Sequence, residues 1–414
     1  MSARLGTPRH HTLLRRVSLF LTLLMSGGLL IFPRLPLLMA ILLLCLAISG
    51  DVRRVRRELL PVVGVLAGIL LLTLLRPQAF EVVATLTRYA NFVAALALLG
   101  VYLRSPQGSL WGDLMAMLPW IAVQAVLTTV LAALAPSLFM TVNVNDTNYQ
   151  TLLLVFTYHV FLEDSTALPR PDGFFFEPGV FQIYLNLYLY LALFVFRKPQ
   201  HAALAIVAVL CAQSTTGLLV MLLMLAYAAL RELRAVSLRR KLAVTALALI
   251  LAAPLLGVTV NNLESKTEGE NRGSAWAREY DLLTGVGVIG AHPLIGIGFN
   301  YSDYYREAQQ YSFADTALSE DHLEQRGNSN GLVTLFYSLG IPLGLLFLAG
   351  LYRQRLFPHR LLFGTCMMLC LFGEALALSP FFLFLIFSGL ATTPRGATGR
   401  TTLTGGSSPS PSRT

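Results

Sequence analysis

Charge is scarce in this 414-residue chain: 13% of the residues are Asp, Glu, Lys or Arg, where a soluble domain carries about a quarter. Set beside 55% apolar residues and a mean hydropathy of +0.64, that shortage excludes a water-soluble globular domain and a disordered chain. Cysteine is scarce too. Cys45, Cys211, Cys366 and Cys370 all lie within apolar stretches, which excludes a secreted disulfide scaffold. Cys366 and Cys370, four apart on one helix face, read as small apolar residues rather than a metal pair. Histidine, cysteine and carboxylate residues do not recur at ligand spacing, so no built-in metal site is expected. Alternation of apolar and polar residues is also missing. The apolar residues come in blocks of near-helix length, which points to an all-α integral membrane bundle and away from an outer-membrane barrel. The net charge of +9 lacks the basic face with interleaved aromatics that nucleic acid would require.

What the chain does have is about 11–12 apolar blocks, over 17–33, 35–50, 59–75, 82–103, 110–135, 179–196, 201–213, 217–230, 242–260, 329–350, 361–378 and 381–391. The first, preceded by Arg4, Arg9, Arg15 and Arg16, reads as an uncleaved span. Placing that end inside also places inside the clusters at Arg53–Arg57, Arg104, Arg197–Lys198, Arg231–Lys241 and Arg353–Arg360, as the positive-inside rule requires. Two consequences follow. Block 149–162 is too short to span and becomes re-entrant or interfacial. Block 201–230 becomes two short passages whose junction, Ser214-Thr215-Thr216-Gly217, sinks below the outer surface beside a cavity open to the outside. The organisation expected is N-terminal spans over 1–135, an outer segment over 136–178, central spans over 179–260, a large outer loop over 261–328 holding half of the acids, C-terminal spans over 329–391 and a disordered tail over 392–414.

Several motifs sit at the outer junctions. Gly285-Val286-Gly287-Val288-Ile289-Gly290 matches a dinucleotide fingerprint but has no strand before it and no βαβ unit around it, so it is a decoy. It follows a helix expected over 274–283 and reads as a glycine-rich turn. In the stretch Arg170 to Gly179, Arg170 and Glu177 bracket the aromatics Phe174, Phe175 and Phe176. An aromatic belt with a Pro-Gly helix start explains the phenylalanines; a charged pair at a cavity mouth explains the rest. Arg272, with Trp276 and Arg278, is either a solvated arginine or a bidentate phosphate ligand. Arg88, inside an apolar block near Asn91, either snorkels or serves an anionic site. His292 is a base or a turn histidine. Asn328 and Asn330 open the block at 329–350 as an N-cap or as an anion site. Glu374 is a buried carboxylate on either reading.

The order R-P-x-G-F-F-x-E-P-G-x-F-Q-x-x-L-N (Arg170 to Asn186), Q-S-T-T-G (Gln213 to Gly217), R…W (Arg272, Trp276), H-P-L-x-G-x-G (His292 to Gly298) and G-N-S-N (Gly327 to Asn330) resembles the Wzy-type O-antigen and exopolysaccharide repeat-unit polymerases, part of a superfamily shared with the O-antigen ligases. The resemblance covers about residues 145–390. It implies a bacterial inner-membrane enzyme of the glycosyltransferase-C type, with cytoplasmic termini and a large periplasmic loop. Its substrates are oligosaccharides on undecaprenyl diphosphate, with membrane lipid, a chain-length regulator and a flippase as further partners and no nucleotide sugar or metal. The ligase branch is expected to have an Arg where this chain has Thr215 and a His where it has Gly327, which sets the polymerase ahead of the ligase. On this resemblance Arg272, Arg170 and Glu177 are the catalytic candidates, Glu177 as base or hydroxyl-orienting group. Arg88, Arg278, Trp276, Phe174, Phe176, His292, Asn328, Asn330, Ser214 and Thr215 are the substrate-binding candidates. A lipid-linked glycan flippase is the competing class; polar residues gathered at one face favour chemistry there.

Overall fold

Long runs of Leu, Ala and Val leave the backbone to satisfy its own hydrogen bonds, which in lipid means helix. A computed structural model of the chain describes residues 9–29, 32–49, 57–74, 82–144, 147–159, 169–233, 272–311 and 327–392. The span expected over 242–260 and the tail beyond Thr392 lie outside the described residues. The helices are α1 (Arg9–Met25), α2 (Arg34–Ser49), α3 (Leu60–Leu74), α4 (Val82–Arg104), α5 (Ser109–Leu134), α6 (Pro178–Tyr190), α7 (Pro199–Ala212), α8 (Thr215–Leu233), α9 (Arg272–Ala291), α10 (Tyr301–Gln309), α11 (Gly331–Arg353), α12 (Arg360–Gly373) and α13 (Pro380–Leu390). Among the described residues five helical stretches are long and apolar enough to cross a bilayer: Arg57–Leu74, Thr85–Arg104, Ser109–Leu134, Pro178–Val195 and Gly331–Arg353. The chain is an all-α integral membrane protein.

α6 and α13 form the centre. Both are buried along their length, the pattern of a helix enclosed on every side, and the two polar residues of α6, Gln182 and Asn186, hydrogen-bond each other. Three tyrosines on α6 keep their hydroxyls paired: Tyr184 donates to the Ser26 carbonyl at 2.6 Å, Tyr188 meets His201 Nδ1 at 2.6 Å, and Tyr190 donates to the Pro358 carbonyl. At one end of the bundle Asp113 receives Arg15 at 2.5 Å, Arg16 at 3.1 Å and the Tyr102 hydroxyl at 3.1 Å. Trp111 donates to the Leu356 carbonyl, Arg231 meets His359, and Thr392 N donates to the Glu58 carbonyl. These contacts gather Arg15, Arg16, Arg231 and the Arg353–Arg360 turn at one end. The opposite end carries the turns at Ser26–Leu29 and Gln213–Ser214, the start of α6, and the loops around Asn328 and Glu374.

The described residues also contain a sheet, which the helical reading of the sequence did not include. β1 (Met140–Val144), β2 (Thr147–Leu152), β3 (Phe156–His159) and β4 (Arg170–Pro171) pair antiparallel in the order β1-β2-β3-β4, with Met140 opposite Thr151, Leu152 opposite Phe156 and His159 opposite Arg170. The short block at 149–162 thus overlaps the β2–β3 hairpin, which starts at Thr147. Its Thr, Tyr, Gln and Asn residues suit a pleated, half-exposed surface better than lipid, and Phe139 and Tyr158 pack it onto α5 around Ala132.

α9 differs as well. It continues as helix through Gly285–Gly290, where a glycine-rich turn was expected. A Cβ at position 285 would stand 2.1 Å from Val333 Cγ1, and one at 287 would stand 2.7 Å from the Tyr311 ring. The glycines therefore serve close packing rather than a turn. Block 201–230 is two helices, α7 and α8, joined through Gln213 in the left-handed region (φ 49°). This junction is packed against protein: Asn186 Nδ2 donates to the Gly217 carbonyl at 3.1 Å, and a Cβ at 217 would meet Gln182 Cβ at 2.8 Å. The cavity described below is lined by other residues.

Asp113→Ala strands a buried guanidinium, Arg15, that cannot lose its proton. The expected loss is about 3–5 kcal/mol, read as a lowered unfolding temperature in detergent; an unchanged transition would remove this ion pair as a fastener of α1 to α5.

Candidate functional site

The stretch 170–179 is built residue by residue from contacts with three separate parts of the chain. Arg170 and Pro171 pair with β3, and Asp172 N donates to the Thr157 carbonyl at 2.8 Å. Gly173 turns the chain at φ 61°, with the Gln124 and Phe181 side chains 3.0 Å from where its Cβ would stand. The backbone then bonds to the α1–α2 turn: Leu29 N donates to the Phe174 carbonyl at 2.9 Å, Phe176 N to the Gly27 carbonyl at 3.1 Å, and Gly28 bridges Phe175. The three phenylalanines separate. Phe174 meets Phe20 edge-on; Phe175 is buried and stacks on Tyr184 at 4.5 Å; Phe176 lines a cavity. Glu177 is the N-cap of α6 and Pro178 its first residue, the position where a missing N–H is harmless. The Glu177 carboxylate makes no capping hydrogen bond. Glycine at 179 leaves room for Glu374, whose Oε1 would stand 2.0 Å from a Cβ there.

This construction gathers charge. Burial lowers the pKa of Arg170 from its ordinary value; Asp172 and Glu177 oppose that shift and Arg278 adds to it. Arg170 therefore has two carboxylates and a second guanidinium as electrostatic neighbours, across β4, the start of α6 and α9. Asp172 is fully buried. Tyr149, whose hydroxyl donates to the Phe176 carbonyl at 3.0 Å, is pushed up by burial and by the same two carboxylates. Two guanidinium groups beside acceptor oxygens can hold a phosphate group and orient a hydroxyl.

The remaining sequence candidates separate into those held by the architecture and those facing space. Asn328 is buried: its amide donates to the Asp281 carbonyl at 2.5 Å and to the Tyr304 hydroxyl at 2.9 Å, while its oxygen accepts from Asn330 N. Asn330 caps α11, accepting from Leu332 N and Val333 N. His292 Nε2 lies 3.1 Å from Glu307 Oε2, joining α9 to α10. Ser214 accepts from Gly217 N at 3.3 Å at the start of α8, which Thr215 opens. Arg272 begins α9; its side chain and that of Trp276 lie outside the described residues. Arg88 donates to the Tyr301 hydroxyl at 2.6 Å and lines the cavity with Phe176. Among the described residues no cluster of His, Cys, Asp or Glu could hold a metal ion.

Sequence reasoning passed over Asp172, Tyr301, Arg34 and Ser379. Arg34 carried a signal: it is a basic residue between two apolar blocks, at the end of the bundle away from the other clusters.

A family model described as O-antigen ligase matches residues 201–348, from α7 through α9 and α10 into α11. Over this segment the chain resembles the O-antigen ligase/polymerase superfamily. No curated protein and no solved structure matches it. The matched segment holds Ser214, Thr215, Arg272, Arg278 and Asn328, whereas Arg170 and Glu177 precede it. Members of the superfamily are membrane glycosyltransferase-like enzymes acting on lipid-linked glycans.

Asn330 offers a clean separation of roles. Asn330→Asp keeps an N-cap acceptor and is expected to retain stability, whereas Asn330→Ala loses about 1 kcal/mol, read by thermal unfolding in detergent. Loss of activity in Asn330→Asp at unchanged stability would mean the residue does more than cap α11.

Proposed function

We propose that this ligase/polymerase-type enzyme polymerises oligosaccharide repeat units carried on undecaprenyl diphosphate, at the periplasmic face of the bacterial inner membrane, with both termini cytoplasmic. The observation that supports this reading best is Arg170 and Arg278 standing with Asp172 and Glu177 at the end of the bundle opposite the basic clusters. In the reaction, the bond between the donor's anomeric carbon and its diphosphate oxygen breaks, and a bond from that carbon to an acceptor hydroxyl forms. The departing diphosphate gains negative charge, which fixed guanidinium donors stabilise most where water is scarce. Arg170 and Arg278 supply two such groups, and Arg272, at the head of the same helix as Arg278, supplies a third. Glu177, its carboxylate uncommitted to the helix cap, orients the acceptor hydroxyl and takes its proton. Phe176 and Trp276 offer faces for sugar or lipid. A flippase and a chain-length regulator supply the units and set the product's length.

The ligase reading has one observation of its own, the description of the matching family. Purified protein given lipid-linked repeat units alone should lengthen them; transfer only when a lipid A–core acceptor is added would make it a ligase, and units moved across vesicles unchanged would make it a transporter.

Arg272→Ala should abolish polymer at normal protein levels, and Arg170→Ala and Arg278→Ala should each lower turnover by about 10²–10³-fold. Retained long-chain polymer in these variants would overturn the guanidinium mechanism. Glu177→Gln should shorten chains sharply while lipid-linked units still bind; undiminished chain length would remove it as the base.

A further inference from the structure

The turn of the β2–β3 hairpin breaks a local rule. Val155 N donates to the Leu152 carbonyl at 3.2 Å, and the two residues between them, Leu153 and Leu154, both take left-handed backbone, with φ of 57° and 56°. Tight hairpin turns of this hand are ordinarily built from Asn, Asp or Gly, because a bulky side chain is disfavoured there. This chain places two leucines at those positions, 75% and 47% exposed, inside a run from Leu152 to Phe156 that is apolar throughout. In water such a turn would join backbone strain to bare apolar surface and gain nothing from either.

The height of the turn in the bundle supplies a reason for it. The Val155 carbonyl accepts from Gln124 Nε2, and Val155 and Phe156 line a groove of about 420 Å³ with Met117, Trp120 and Leu127 of α5. α5 is one of the stretches able to cross a bilayer, and Gln124 stands near its middle, about 16 Å of helix from Asp113 at the arginine end and about 15 Å from Leu134. The hairpin thus descends beside α5 to about half the length of the helix. Polar side chains gather at the sheet's other end. There Asn143 Nδ2 donates to Asn148 Oδ1 at 3.0 Å, and Asn148 lies about 13 Å along β2 from Leu152. Non-helical backbone at hydrocarbon depth needs partners from protein. The Gln124 amide, a polar group in the middle of an apolar helix, gives one to Val155.

We propose that the β2–β3 hairpin is a re-entrant anchor: its Leu153–Leu154 turn lies among the acyl chains of the surrounding bilayer, and through β3 it fixes the strand that carries Arg170. Of the two states open to the 149–162 block, interfacial or re-entrant, this geometry selects the second, and for the turn alone. The partner is the acyl region rather than a headgroup, since among the described residues no charged side chain lines the groove. The sheet makes the link to Arg170. His159 is opposite Arg170, and the Thr157 carbonyl accepts from Asp172 N at 2.8 Å and from Gly173 N at 3.3 Å. The anchor does not rest on the transfer reading, because depth and backbone protection are measured without substrate.

Leu153→Cys and Asn148→Cys, each in phosphatidylcholine liposomes with the wild type as blank for the native cysteines, separate lipid from water. A charged maleimide present on both sides of the membrane should label Asn148→Cys at least tenfold faster than Leu153→Cys. A fluorophore attached at position 153 before reconstitution should be quenched at least twofold more by a nitroxide at acyl carbon 12 than by one on the headgroup. Equal labelling rates, or stronger quenching from the headgroup, overturn the anchor. Leu154→Asp tests the link: in lipid nanodiscs, amide exchange at Asp172 and Gly173 should rise at least tenfold while that of α6 stays as in the wild type. Unchanged exchange at Asp172 and Gly173 overturns the hold on the Arg170 strand. If Leu154→Asp fails to fold, the two cysteine variants still decide the depth, and exchange of the wild type decides the link: amides of Asp172 and Gly173 as protected as those of β3 support it, and unprotected ones overturn it.

Discussion

A guanidinium keeps its proton at any pH the protein meets, so Arg170, partly withdrawn from water, must be neutralised where it stands. Much of the surrounding structure follows from that constraint. The β3–β4 pairing fixes its backbone, the Gly173 turn brings Asp172 and Glu177 back toward it, and the absence of a side chain at Gly179 lets Glu374 close in behind the start of α6. Because α6 starts without a side-chain cap, the Glu177 carboxylate is not spent on the helix end. An arginine fully matched by carboxylates would be a structural ion pair. Here Arg278 adds a second guanidinium that shares the same two carboxylates, so the group holds two positive and two negative charges.

The parts legible in the sequence are those decided by composition and local order. Block length and scarcity of charge give a helical membrane bundle, and the flanking arginines divide 201–230 into α7 and α8. The Pro-Gly pair marks the start of α6 through local backbone chemistry alone. The sheet was hidden because its strands are short and β4 is only two residues long; its pairing depends on contacts between distant parts of the chain. α9 was misjudged at Gly285–Gly290 because local rules read glycine as a breaker, whereas its neighbours Val333 and Tyr311, remote in sequence, make it a contact surface. Arg34, Asn91 and Ser379, which line the cavity with Phe176 and Arg88, come from three separate segments, and no spacing rule brings them together.

The motifs that carry the family resemblance do more than one job. Asn328 ties α9 to α10 through Asp281 and Tyr304, Asn330 caps α11, and His292 joins α10 through Glu307. The stacked pair Tyr304–Tyr337, 4.4 Å between ring centres, seats this layer on α11. These residues hold α9 against the bundle, and α9 carries Arg278 to Arg170. In these contacts Asn328 uses both ends of its amide and Asn330 uses its oxygen.

The family match begins at α7, yet part of the site is built by helices before it. The α1–α2 turn hydrogen-bonds Phe174 and Phe176 directly, and Tyr184 on α6 donates to Ser26 in that same turn. Ser26 Oγ in addition receives Phe381 N from α13. The turn is therefore fastened to the centre of the bundle on three sides and cannot shift without moving the phenylalanine segment that ends at Glu177. This rigidity explains why a first hairpin, readable only as hydropathy, contributes to a charged site. Catalytic groups need a geometry fixed to within a fraction of an ångström, and a packed hairpin bonded to their own backbone supplies it better than a solvent-exposed loop would.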